Sequence, residues 1–65
     1  MLTTLEIVTR KTAEGDIYEA TRDDARSPWE ICFPTGQERF YGSKSEVSSE
    51  IGRIMKAHGA VPVAN

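Results

Sequence analysis

Cys32 and His58 are the only cysteine and the only histidine of the chain, and any nucleophile with a basic partner would draw on them. Cys32 shares an alternating segment with Glu30 and has no cationic neighbour in sequence to favour its thiolate, so an inert thiol is expected. His58 falls in the last turn of a predicted helix, where imidazole serves as a C-terminal cap or a core-edge residue more readily than as a base. One thiol makes no internal disulfide, and one Cys with one His leaves a four-ligand zinc shell half empty. Gly36 and Gly42 flank a hairpin instead of forming the Gly-rich spacing that opens a phosphate-binding helix. Gly42-Ser43 does precede a helix N-terminus, but Ser43 and Glu46 are placed to serve those amides, and the carboxylate repels an anion. Hence no catalytic residue, cofactor site or metal site is expected, and the chain reads as a binding protein and not an enzyme.

Binding chemistry has better candidates. Tyr18, Trp29, Phe33, Phe40 and Tyr41 supply more aromatic area than one face of so small a domain hides, so part of it is expected to look outward. Trp and Tyr are enriched at protein interfaces, which makes Trp29 and Tyr41 candidate anchors for a partner. The same aromatics interleave with Arg10, Arg22, Arg26 and Arg39, so Arg10, Arg22, Arg39 and Tyr41 form an alternative, nucleic-acid-binding set that would work by base stacking and phosphate contact.

A helix must position the rest. From Ser43 to Gly59 the chain carries a start signal, a periodic apolar face and a stop signal: Ser43 with Glu46 is a capping box, and Gly59 supplies the left-handed residue that closes helices. At 100° per residue, Val47, Ile51, Ile54, Met55 and His58 share one core-facing sector. Beside it runs a stripe of small residues, Ser45, Ser48, Ser49 and Gly52. Glycine inside a helix costs about 1 kcal/mol relative to alanine, so Gly52 implies a close neighbour, either the chain's own sheet or a partner, or else a tolerant position. The other flank carries Glu46, Glu50 and Arg53, with Glu50 and Arg53 spaced for an ion pair.

Ahead of the helix the period changes to alternation, the strand signature. Thr3–Arg10, Ile17–Arg22, Trp29–Phe33 and Glu38–Tyr41 read as strands, separated by turn chemistry at Thr12–Asp16 and Pro34–Gln37, where Gly15 and Gly36 are expected to take the special conformations. Asp23–Pro28 reads as a loop. Leu5, Ile7, Ile31, Phe33 and one of Phe40 or Tyr41 are the expected inward residues. The order β-β-β-β-α predicts an α+β domain over residues 1–59, a small antiparallel sheet of three to four strands with one C-terminal helix on a face, followed by an extended or frayed tail over 60–65. In layout, Trp29 to Met55, with its Pro-x-Gly turn and helix entry, loosely resembles the DNA-reading sheet-and-helix domains of plant AP2-type proteins and the arm-binding domains of phage integrases; this covers under half of the chain and involves no specific motif.

Composition bounds the rest. A chain of 65 residues is one domain that buries only about 60% of its unfolded surface, so a large internal cavity is not expected and oligomerisation is an open route to stability. Eight Lys and Arg stand against ten Asp and Glu, a net charge of −2, which favours a protein partner over phosphate neutralisation. The lone cysteine and the lack of a signal or membrane-spanning pattern suit a cytoplasmic protein. The expected function is therefore a stoichiometric adaptor or inhibitor of the kind phages and mobile elements encode, with a homodimer as one form of partnership. A nucleic-acid accessory domain is the alternative.

Overall fold

The computed structural model describes residues 5–62. Four strands, β1 (Glu6–Lys11), β2 (Ile17–Arg22), β3 (Trp29–Phe33) and β4 (Gly36–Phe40), precede one helix, α1 (Lys44–Ala57). The strands form an antiparallel meander in the order β1-β2-β3-β4, with β1 and β4 as its edges. This is the α+β architecture expected, and α1 lies over β1 and β2. The Thr3 and Thr4 positions assigned to the first strand, and residues 63–65 of the tail, lie outside the described residues.

The helix ends as its sequence requires. Ser43 Oγ accepts from the Glu46 N–H at 3.2 Å, and Glu46 Oε1 accepts from the Ser43 N–H at 2.8 Å, closing the capping box. The Ser43 backbone N–H, and after it the Ser43 hydroxyl, hold the Glu46 carboxyl below its ordinary range. His58 is the C-cap, and Gly59 follows with φ 70°. Val47, Ile51, Ile54 and Met55 are buried against Val8, Tyr18, Ala20, Trp29 and Ile31, with Phe33 and Phe40 packed at the margin. Fully burying such a side chain stabilises by about 1.5–3 kcal/mol, and this single layer is the core.

Strand β1 presents the opposite face from the one expected. Val8 is buried, while Leu5 and Ile7 are 54% and 47% exposed. Alternation says which residues share a face but not which face turns inward. Here the register decides it: Val8 pairs with Ala20, which pairs with Ile31, and Glu6 pairs with Arg22. The charges flanking Val8 are acceptable on the helix side because each finds a partner there. Arg22 Nε and Nη2 hold the Glu6 carboxylate at 2.9 and 3.1 Å, and Arg10 reaches the Ser48 hydroxyl of α1.

Two turn details also differ from expectation. The β3–β4 turn is Pro34-Thr35, so Gly36 already pairs with Phe33 inside β4, and Gly15 and Gly59 are the residues with positive φ among those described. The tail is not wholly frayed. Pro62 bridges Thr12, Val61 accepts from the Ala13 N–H at 2.8 Å, and Ala60 donates to the Met55 carbonyl at 2.8 Å.

A polar lock joins the sheet to the helix entry. The Gly42 carbonyl accepts from Trp29 Nε1 and from Arg22 Nη1, each at 3.0 Å. The Arg22 guanidinium also lies over the Trp29 ring, 4.5 Å from its centroid. Arg22→Ala removes three donated bonds and strands Glu6 beside a buried ring, so we expect a loss of about 2–4 kcal/mol. Trp29→Phe keeps most of the ring and removes one bond, an expected loss of about 1–2 kcal/mol. Urea denaturation of both variants checks the order. Because the Glu46 and Glu50 carboxyls are depressed from 4.5 by capping and by Arg53 respectively, their contribution is complete above that value and drains away as pH falls through their lowered folded values. Acid titration of helical circular dichroism should therefore show a shallower loss for Glu46→Gln, which has no carboxyl there to protonate, than for the parent chain.

Candidate partner groove

The small-residue stripe borders an open groove. Between the helix and the free side of β1 lies a trough of about 460 Å³, lined by Ile7, Thr9, Arg10, Lys44, Ser45 and Ser48 among others. A second depression of about 280 Å³ continues along the same flank, where Gly52, Met55 and Lys56 face Ala60 and Pro62. Arg10 lines both and divides them. Its Nη2 donates to the Ser48 hydroxyl and its Nη1 to the carbonyl of Thr9, the latter at 3.2 Å.

Geometry answers the question posed by Gly52. A Cβ built there meets nothing within 4 Å among the described residues, so the chain's own sheet does not require glycine at that position. Gly42 is the contrasting case: a Cβ would lie 2.8 Å from the Phe40 ring and 3.0 Å from Glu46 Oε1. Ser45, Ser48 and Gly52 border the two depressions, whereas Ser49 stands exposed outside them.

The candidate aromatic anchors separate. Trp29 is 0% exposed and belongs to the core, so it presents nothing to a partner; its indole is consumed by ring packing and by the Gly42 carbonyl. Tyr41, 72% exposed, follows β4 and lies far from any packing role. Phe40, its competitor for the inward position, is the one packed against the core.

The alternative nucleic-acid set does not converge on one surface. Arg10 and Arg22 share the helix-facing side of the sheet by register, and the Arg22 side chain is only 9% exposed and bound to Glu6. Arg39 lies on the opposite face opposite Glu30, and the neighbouring carboxylate, 3.1 Å away, holds its proton more firmly than usual. Sequence alternation alone could not separate these arginines, because the separation depends on which face of each strand the helix covers.

One cluster escaped the sequence reading. Tyr18 is buried, its hydroxyl 3.0 Å from His58 Nδ1, and Phe33 stacks on Tyr18 while meeting the imidazole edge-on. The clue was the register, since Tyr18 and Phe33 lie one step beyond the Glu19–Cys32 pair of β2 and β3. The cluster joins that terminus to the sheet. Cys32 is exposed on the open face, and among the described residues no group of three or more Cys, His, Asp or Glu is gathered for a metal ion. No helix among them is long and apolar enough to cross a membrane.

Since the space at Gly52 is open and its helix position is unfavourable, Gly52→Ala should raise stability by about 1 kcal/mol. Urea midpoints with an unchanged slope would check it. Comparison with known protein families, with curated proteins and with solved structures yields no match, so what the groove does must be argued from its own residues.

Proposed function

We propose that this chain is a stoichiometric protein-binding module, an adaptor or inhibitor and not an enzyme, that holds its partner in the groove between β1 and α1. The observation that carries the reading is Gly52 with open space above it. A helix-interior glycine that no described part of the fold requires, in a row with Ser45 and Ser48 along the two depressions, suits the close approach of another backbone. A domain with so small a core has little stability to spare, so a residue that costs helix propensity calls for a compensating role. A second copy of the chain is one partner that would satisfy the geometry. A reducing compartment suits the exposed Cys32 thiol, which otherwise would be open to oxidation.

Gly52→Leu tests this directly, because its Cβ enters open space and the side chain occupies the depression that continues from the trough. Immobilised parent chain should retain a partner from an extract of the native cell, or double its mass in solution scattering. Gly52→Leu should fold with an unchanged circular dichroism spectrum and lose that partner. Retention of the same partner by Gly52→Leu, or a monomeric parent chain that retains nothing, would discard the reading.

A further inference from the structure

We propose that the groove accepts an extended acidic segment of a partner protein, which adds to the β1 edge as a fifth strand and draws Arg10 away from its own backbone. This rests on the reading of the groove as the partner site and names the chemistry that fits it. Three observations converge on it.

The first is hydrogen-bonding parity. Thr12 bonds inward to Asp16, while the next residue, Ala13, donates outward to Val61. Alternation along β1 therefore turns the amides and carbonyls of Thr9 and Ile7 outward, away from β2. Among the described residues nothing but Arg10 meets them. The Thr12–Pro62 bridge closes the edge at its far end, so the stretch that no other described residue pairs with runs from Ile7 to Thr9. An exposed edge of this kind is a template for strand addition, and a charged side chain over it is a known guard.

The second is charge. The protein is acidic overall, yet neither depression has a carboxylate among its described lining residues, where Arg10 and Lys44 line the first and Arg10 and Lys56 the second. The ion pairs of the described residues lie elsewhere, at Glu6–Arg22, Glu30–Arg39 and Glu50–Arg53. Lys44 stands at the first residue of α1, the positive end of the helix dipole, where a cation is unfavourable for the helix itself. A carboxylate entering the trough would meet Arg10 and Lys44, with Lys56 in the adjoining depression, and no competing acid among the described lining residues. Arg10 now rests on neutral acceptors, the Thr9 carbonyl and Ser48 hydroxyl, and a carboxylate is the stronger ligand for a guanidinium. Its departure frees the Thr9 carbonyl to accept an incoming N–H.

The third is alternation. Side chains of an added strand point by turns into the groove and onto the open face of the sheet. Groove-side positions meet Arg10, Lys44 and the serines, and open-face positions meet Leu5 and Ile7, which are large, apolar and exposed. The segment therefore alternates carboxylate with apolar residues. Backbone pairing and the apolar contacts favour a peptide over a nucleic acid, whose phosphates would use the cations alone.

The test is a titration of the isotope-labelled full chain, followed by NMR, with a synthetic peptide of alternating Glu and Val. Its Gln-Val counterpart and a mixed-sequence DNA oligonucleotide are the other two probes. The Glu peptide should shift the amides of Ile7 and Thr9 and the Arg10 side-chain signal, saturably and less strongly as salt is raised. The Gln peptide, and the Glu peptide on Arg10→Gln, should bind roughly tenfold more weakly or worse, whereas Arg39→Gln should bind as the parent does. Lys44→Gln gives a second, independent loss should Arg10→Gln prove unfolded. Equal binding of the Glu and Gln peptides, shifts confined to the open face around Cys32, or no saturable shift at millimolar peptide would each overturn the proposal. So would tighter binding of DNA at the same residues, or a doubled mass that the Glu peptide does not reduce. If a native partner is lost on Gly52→Leu yet is untouched by Arg10→Gln and by competing Glu peptide, the acidic segment is wrong and the groove reading stands. If Gly52→Leu retains the partner, the groove reading itself is wrong.

Discussion

The Gly42 carbonyl is the point on which the two halves of this fold meet. It accepts from Trp29 on β3 and from Arg22 on β2, and Arg22 in turn grips Glu6 on β1. One oxygen at the entrance to the helix is thus tied to three of the four strands. The arrangement suits a domain with a single packed layer, because the helix entry is fixed by direction-specific bonds where hydrophobic area is scarce. It also explains why Gly42 has no side chain: the chain must bring that carbonyl under Phe40 and beside the Glu46 cap, with no room for a Cβ. Among the described residues every buried side-chain nitrogen and oxygen has a partner, so the polar lock adds no unsatisfied group to the interior.

From that constraint follows the inversion of β1. If Arg22 is to reach both Glu6 and Gly42, then Glu6, and with it Val8 and Arg10, must lie on the helix side. Leu5 and Ile7 are turned outward as a consequence, despite being the more apolar set. The helix was legible to the residue because its signals are local: Ser43, Glu46, the apolar period and Gly59 act within a few positions of one another. Strand existence was legible for the same reason. The inward face of β1 was not, because it depends on an ion pair between residues sixteen positions apart in sequence and on a carbonyl beyond both. Trp29 was misjudged as an anchor on the same ground: its burial is decided by the lock.

The candidate groove was half legible. The angular stripe of Ser45, Ser48 and Gly52 can be read from spacing, but the wall opposite it cannot, since that wall is the edge of β1 and the short bridged tail at Pro62. Only the fold brings Arg10 across to Ser48. The arginines of the alternative nucleic-acid surface illustrate the converse, being neighbours in pattern but distributed over two faces of one sheet.

The two flanks of α1 obey different rules, and the difference is the strongest physical argument that one of them faces something. On the outer flank Glu46 completes the cap, and Glu50 pairs with Arg53, whose guanidinium lowers the Glu50 carboxyl below its usual range. Each of those choices favours an isolated helix. On the groove flank the choices run the other way: Ser45 and Ser48 are weak helix formers, Gly52 is weaker still, and Lys44 opposes the dipole. Sequences agree with their own folds at most positions, and departures gather where another demand acts. Here Lys44, Ser45 and Ser48 line one trough and Gly52 the depression that continues from it, both beside an edge strand guarded by a single arginine. The helix is therefore built as two half-surfaces, one tuned to keep the domain folded and one released from that task.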